Sequence, residues 1–227
     1  MAQQLYKLSP SDFAYLWEDC KHCYYQKVKN GVVYSSPFPA MFGRINGLLQ
    51  ASILGKNLKD VHPDLPEGVI EIQEGYMKSI TIPGTNAYLS GRFDILSKLK
   101  DGTYAIIDFK ITTPDMEKIL KKYSSQLHAY KFALENPADG KKPIKISKMG
   151  AVSINPEEMK LEKGKVVFTA VPDFFEVKED MDSFFKLTKE ISDLLNGPLP
   201  PESETCSLCV YRNKFSSTLP TKDTIPF

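Results

Sequence analysis

The 227-residue chain lacks any apolar run long enough to cross a bilayer, which argues against a membrane-spanning helix. It also lacks a charge of one sign. Its 29 Lys and Arg against 28 Asp and Glu leave a formal net charge of +1, so contact with a polyanion must come from local patches. Candidate patches are Lys118, Lys121 and Lys122, then Lys141, Lys142, Lys145 and Lys148, although lysines on exposed faces also serve solubility alone. Residues 1–6 (MAQQLY) lack the apolar segment of an export signal, so the expected location is cytoplasmic and the four cysteines are not expected to form disulfides. Repeats and low-complexity segments are missing too. What is there, 42% hydrophobic and 25% charged residues, is ordinary for one globular domain with one core.

Periodicity and turn residues give the element order. An amphipathic helix is expected over 11–29, with Ser9 or Ser11 as cap and Phe13, Leu16, Trp17 and Cys20 on its apolar face. A second helix is expected over 40–54. Strands follow over 69–82, 88–99 and 104–111, separated by Pro83-Gly84 and Asp101-Gly102. A long helix over 114–134 comes next, then strands over 144–154 and 165–171, and a helix over 178–195 that stops at Asn196-Gly197. This order predicts an α/β (α+β) fold with a mixed sheet flanked by helices. Residues 1–215 form the expected domain, and 216–227, rich in Ser, Thr and Pro, the expected loose tail.

Chemistry concentrates in Gly91-Arg92-Phe93-Asp94-Ile95-Leu96 and, after the Asp-Gly turn, in Tyr104-Ala105-Ile106-Ile107-Asp108-Phe109-Lys110. Side chains alternate along a strand, so Asp108 and Lys110 share one face while Phe109 points into a core on the other. A neighbouring strand supplies Asp94. Two acids and a lysine at one point make a hard-cation site, since Mg²⁺ binds carboxylate oxygens and stabilises charge developing on a phosphate. Alone, Asp-x-Lys is also a common feature of solvated strand faces. Further on, Gln126 and Tyr130 lie four apart and share a helix face that can turn toward the same point.

In this order, Asp94, Asp108-x-Lys110 and Gln126-x-x-x-Tyr130 resemble the motifs of the PD-(D/E)xK nuclease superfamily, in particular its RecB/AddB-like branch, which includes the CRISPR-associated adaptation nucleases. The resemblance implies a restriction-endonuclease-like fold and a Mg²⁺- or Mn²⁺-dependent DNA nuclease, exonuclease-like on single-stranded ends. Asp94 and Asp108 would bind the metal, Lys110 would position the attacking water, and Gln126 and Tyr130 would shape the site or touch the DNA backbone. Glu71, Glu74 and Arg92 are lesser candidates. Many relatives carry a histidine on the helix before the sheet; here Phe42-Gly43-Arg44-Ile45-Asn46-Gly47 places Asn46 or Gly47 there. That departure supports the alternative of a catalytically decayed nucleic-acid-binding subunit of a DNA-processing complex, with protein partners.

The four cysteines form two C-x-x-C pairs, Cys20/Cys23 and Cys206/Cys209, one near each end. Four thiolates suffice for an iron-sulfur cluster or for tetrahedral zinc, and either would join the two ends of the domain. The family resemblance favours a 4Fe-4S cluster; paired C-x-x-C motifs favour Zn²⁺, and with it a second alternative, a zinc-stabilised protein-interaction module. Relatives carry a third C-terminal cysteine, near whose place Phe215 stands, and Cys23 would compensate. His22, between Cys20 and Cys23, is a possible substitute ligand.

Overall fold

The computed structural model describes residues 4–33, 40–112 and 115–218. Its strands are β1 (Tyr6–Leu8), β2 (Gly68–Thr81), β3 (Ala87–Leu99), β4 (Tyr104–Ile111), β5 (Ile146–Ile154), β6 (Glu158–Glu162), β7 (Lys165–Thr169) and β8 (Pro172–Glu176). Its helices are α1 (Pro10–Ala14), α2 (Leu16–Asp19), α3 (Lys21–Asn30), α4 (Ala40–Ile53), α5 (Met116–Glu135), α6 (Met181–Asn196) and α7 (Ser207–Thr218). Pro114, the side chains of Lys118 and Phe215, and residues 219–227 of the expected tail lie outside the described residues.

The Asp-Gly turn does what its chemistry predicts. Gly102 takes φ +82°, and Asp101 Oδ1 accepts the Thr103 N–H at 2.9 Å, reversing the chain so that β3 and β4 pair antiparallel, Ile95 facing Ile107 and Lys98 facing Tyr104. β2 lies antiparallel along the other edge of β3, and short β1 runs parallel to its start. β4 and β5 are parallel, a pairing that needs a long crossover, and α5 supplies it. β8 closes the sheet antiparallel to β5.

The sheet is covered on both faces. Leu96 and Ile106 join a cluster with Leu127, Tyr130 and Phe132 of α5 and with Phe184 and Ile191 of α6. Their sequence neighbours Ile95, Ile107 and Phe109 pack with Ile53 of α4, Leu58 and Leu65. Each such buried side chain contributes about 1.5–3 kcal/mol, so one-residue strand slips that exchange the faces are strongly disfavoured.

Two expectations need correction. The helix over 11–29 is three pieces, broken at Tyr15 (φ −122°, ψ −80°) and at Cys20, whose extended backbone (φ −163°, ψ 111°) caps α3. Of the predicted face, Phe13, Trp17 and Cys20 are at most 4% exposed and Leu16 is half-buried. The segment around 165–169 does not enter the main sheet: β6 and β7 form a separate hairpin, exposed throughout, and β8, with Phe175 buried, takes the edge instead. Helix α7 runs past Phe215 as far as Thr218.

Candidate functional site

The β3–β4 ladder ends at the Ile95–Ile107 pair, and the acidic site sits where it ends. Beyond it the Asp94 carboxylate replaces the missing backbone partner, its Oδ2 accepting the Phe109 N–H at 2.8 Å. Asp108 is 1% exposed and points to the α5 face. Its Oδ2 lies 2.6 Å from Lys110 Nζ, and its Oδ1 accepts a 3.3 Å bond from Gln126 Nε2, which also donates to the Tyr130 hydroxyl. The four-residue spacing on α5 thus brings Gln126 and Tyr130 together, with Gln126 reaching Asp108. Phe109, between the two charged residues, points away into the opposite core.

Burial and crowding set the protonation of this group. The Asp94 carboxyl is pushed up from 3.8 to about 7, first by desolvation and then by the Asp108 charge, against the pull of Lys110 and the Phe109 N–H. Asp108 is likewise raised by burial, with Lys110 opposing. For Lys110, burial disfavours the ammonium, but Asp108 and Asp94 outweigh it and hold its pKa above the ordinary lysine value. A buried pair of acids that retains a proton near neutrality is suited to a cation, which would remove the conflict between the two charges. The donor chemistry fits a hard metal: Asp94 and Asp108 offer carboxylate oxygens, and Gln126 Oε1 is buried without a hydrogen-bond partner.

The surrounding candidates separate. Register places Glu74 beside Asp94, between the Gln73–Ile95 and Gly75–Phe93 pairs, and its charge helps raise Asp94. It holds a left-handed φ of +48° within β2, and next to it a Cβ on Gly75 would lie 2.2 Å from Phe93 Cζ, so only glycine admits that ring. Glu71 is engaged elsewhere, accepting from the Tyr104 hydroxyl at 3.1 Å at the far end of β4. Arg92 is exposed on β3. Lys121, Lys141, Lys142 and Lys145 are exposed, and Lys148 pairs with Glu176 at 2.7 Å.

Helix α4 shows a feature that the sequence reading missed. Asn46 and Gln50, one turn apart, carry buried amide atoms with no partner: Asn46 Oδ1 and both Gln50 atoms, with Gln73 Oε1 on β2 in the same condition. The i, i+4 amide spacing inside an otherwise apolar helix face was the available signal.

The cysteines meet at two helix starts of the same design. Cys20 caps α3 and its sulfur accepts the Cys23 N–H at 3.4 Å; Cys206 immediately precedes α7, which carries Cys209. All four sulfurs lie within 4.8 Å of one another, with Cys20–Cys209 at 3.7 Å, Cys23–Cys206 at 3.8 Å and Cys23–Cys209 at 3.6 Å. Burial and the neighbouring thiols push Cys23 up, and burial pushes Cys209 up. At Cys206 burial acts the same way, but the N–H groups of Cys209 and Leu208 outweigh it and lower the pKa. Around one tetrahedral ion with bonds of about 2.3 Å, sulfurs stand about 3.8 Å apart, which these separations match.

His22 is not a substitute ligand. It is 4% exposed; its Nε2 accepts from Arg212 Nη2 at 3.2 Å, which leaves Nδ1–H to donate to the Pro200 carbonyl at 2.8 Å. Both nitrogens are used in pinning α3 to the C-terminal segment. His128 is buried as well and ties α5 to the start of α6, its Nε2 accepting the Asp180 N–H at 2.7 Å. His62 Nδ1 accepts the Asp64 N–H at 3.2 Å in the loop before β2.

No family model and no curated protein matches the chain. Among solved structures it is similar to SSO0001, with 16% identity, coverage of 98% of this chain and 89% of that one, and a TM-score of 0.46. It is also similar to an alkaline exonuclease from Laribacter hongkongensis, with 12% identity, coverage of 94% and 95%, and a TM-score of 0.42. Likeness at this level carries no weight for function.

Proposed function

We propose that the protein is a metal-dependent DNA nuclease that hydrolyses phosphodiester bonds, exonuclease-like on single-stranded ends, working in the cytoplasm and within a larger DNA-processing complex. The observation that carries this reading is the convergence of Asp94, Asp108 and Lys110 at the open end of the β3–β4 ladder, with Asp108 fully buried yet ion-paired. Asp94 and Asp108 would hold Mg²⁺ or Mn²⁺. When bound, such an ion offsets charge on the phosphate and makes water a better nucleophile. Lys110, with its ammonium secured by both acids, orients the attacking water and offsets charge on the phosphate oxygens. Gln126 holds Asp108 Oδ1 in place, and Tyr130 holds Gln126.

We assign the four cysteines to a single tetrahedral Zn²⁺ rather than to the 4Fe-4S cluster that the family resemblance implies, on the strength of the close sulfur separations. Residues 1–215 would then fold as one unit closed at both ends. The test of the catalytic reading is cleavage of end-labelled single- and double-stranded DNA with Mg²⁺ or Mn²⁺. Asp108→Asn and Lys110→Met are near in shape to the native residues, and each is expected to lower the rate at least about a thousandfold while the domain stays folded. Wild-type cleavage by folded Asp108→Asn would overturn the assignment.

A further inference from the structure

Beside Lys110 lies a cavity of about 400 Å³ whose lining carries two lysines and no carboxylate. Tyr15 from the first break in the N-terminal helices and Tyr123 of α5, 108 positions apart, meet there through their hydroxyls at 3.0 Å, with ring centroids 6.1 Å apart. Cations flank this tyrosine pair. Lys110 Nζ is 4.7 Å from the Tyr123 ring, and Lys122 Nζ is 3.9 Å from the Tyr15 ring. The same cavity is lined by Phe42, a 41% exposed residue, and by Asn46, whose buried Oδ1 has no hydrogen-bond partner.

Each component has a use for the same kind of ligand. Tyr15 stays 42% exposed although it belongs to the segment that packs on α5, so a planar partner can reach the part of its ring that Lys122 and Tyr123 leave uncovered. Aromatic faces accept bases of any identity, a nearby ammonium accepts a phosphate, and an unpartnered amide oxygen accepts an N–H. The volume falls in the range of small-ligand sites. Lys110 belongs to both the acidic site and the cavity, so a strand held there continues into the reacting centre.

We propose that this cavity is a subsite for one nucleotide of a single strand, with its base against Tyr15 and Phe42 and its phosphate toward Lys122. The proposal rests on the nuclease reading for its purpose but not for its measurement. Binding of a fluorescein-labelled oligothymidylate to the full chain is followed by anisotropy with Ca²⁺ in place of Mg²⁺, alongside cleavage kinetics with Mg²⁺. Tyr15→Leu and Lys122→Gln are each expected to weaken binding about tenfold, within the range of base stacking and phosphate contacts, and to raise KM with kcat within about twofold. Tyr15→Phe keeps the ring and loses only the hydroxyl contact, so it should bind like wild type. On a strand with abasic positions the Tyr15→Leu penalty should vanish while the Lys122→Gln penalty persists.

A strand that binds, responds to both residues and is never cut would uphold the subsite and defeat the nuclease reading. A strand that is cut while both variants bind as wild type would do the reverse. An undiminished Tyr15→Leu penalty on abasic strands would overturn base stacking, and a protein that binds no strand at all would overturn the subsite outright.

Discussion

The acidic site draws Asp94 and Asp108 from two strands joined by one tight turn, whereas the cysteine site brings Cys20 and Cys209 together across 189 positions of sequence. The difference assigns different work to the two. The acids lie at the end of a ladder whose core, from Ile95 to Phe109, is complete without them, so a cation there acts on charge. The thiols cap helices at opposite ends of the chain, so a metal there acts on folding, because its binding free energy is available only when both ends are in place. A second clamp runs beside the thiols: His22 bonds to Pro200 and Arg212, and Glu202 receives Arg212 and Asn213.

The comparison breaks most visibly at Cys209, which is fully buried. Cys209→Ser should release the metal and lower Tm by about 10 °C or more, since several kcal/mol of binding are lost and each is worth about 2–4 °C in a domain of this size. Metal analysis of the native protein should give about one zinc per chain and no iron, the stoichiometry of four thiolates on one ion. A Cys209→Ser protein with unchanged Tm would reduce the cysteines to ordinary buried thiols. A brown chromophore with iron would restore the cluster and remove the single-ion assignment.

What could be read in advance follows the same division between local and distant. The β3–β4 hairpin, the alternation of Asp108, Phe109 and Lys110 between the two faces of the sheet, and the Gln126–Tyr130 pairing depend on periods of two and four and on one Asp-Gly turn, all visible within a few residues. The breaks at Tyr15 and Cys20 were not visible, because Phe13, Leu16, Trp17 and Cys20 are spaced for an unbroken helix. At each break the residue meets a partner far away in sequence, Tyr15 meeting Tyr123 and Cys20 meeting Cys209. Strand β8 was hidden by its opening Pro172-Asp173, which resembles a turn, and three-residue β1 is too short to show a period. The meeting of Tyr15 and Tyr123 had no local signal at all.

A smaller effect sharpens the electrostatic half of the comparison. Asp94 ordinarily titrates at 3.8 and is pushed up to about 7 by burial and by the Asp108 charge. Between these values the folded protein holds a proton that the unfolded chain has already released, so stability falls as pH rises across that window and levels off above it. Added Mg²⁺ should act in the opposite sense, stabilising more as pH rises through about 7, because the ion and the proton compete for the same carboxyl. Urea denaturation at pH 5 and pH 8, with and without Mg²⁺, reads both trends, and Asp94→Asn should flatten them. Equal slopes in the wild type and Asp94→Asn would place the proton elsewhere.

The smallest expected effect separates holding the acid from being the acid. Gln126 reaches Asp108 Oδ1 through a single 3.3 Å amide bond and leaves its own Oε1 buried without a partner. Gln126→Leu keeps the approximate shape, removes that orphaned oxygen and frees Asp108 to shift. The change also strips a buried carboxylate oxygen of its amide donor, which costs about 1–3 kcal/mol, so Tm should fall by about 3–10 °C. Cleavage should fall about tenfold, the scale of a misplaced rather than a missing group, and far less than for Asp108→Asn. Tyr130→Phe removes only the hydroxyl that holds Gln126 and should cost less again. Equal losses for Gln126→Leu and Asp108→Asn would mean that the glutamine belongs with the metal-binding acids, and the line drawn here between holding the site and making it would have to move onto α5.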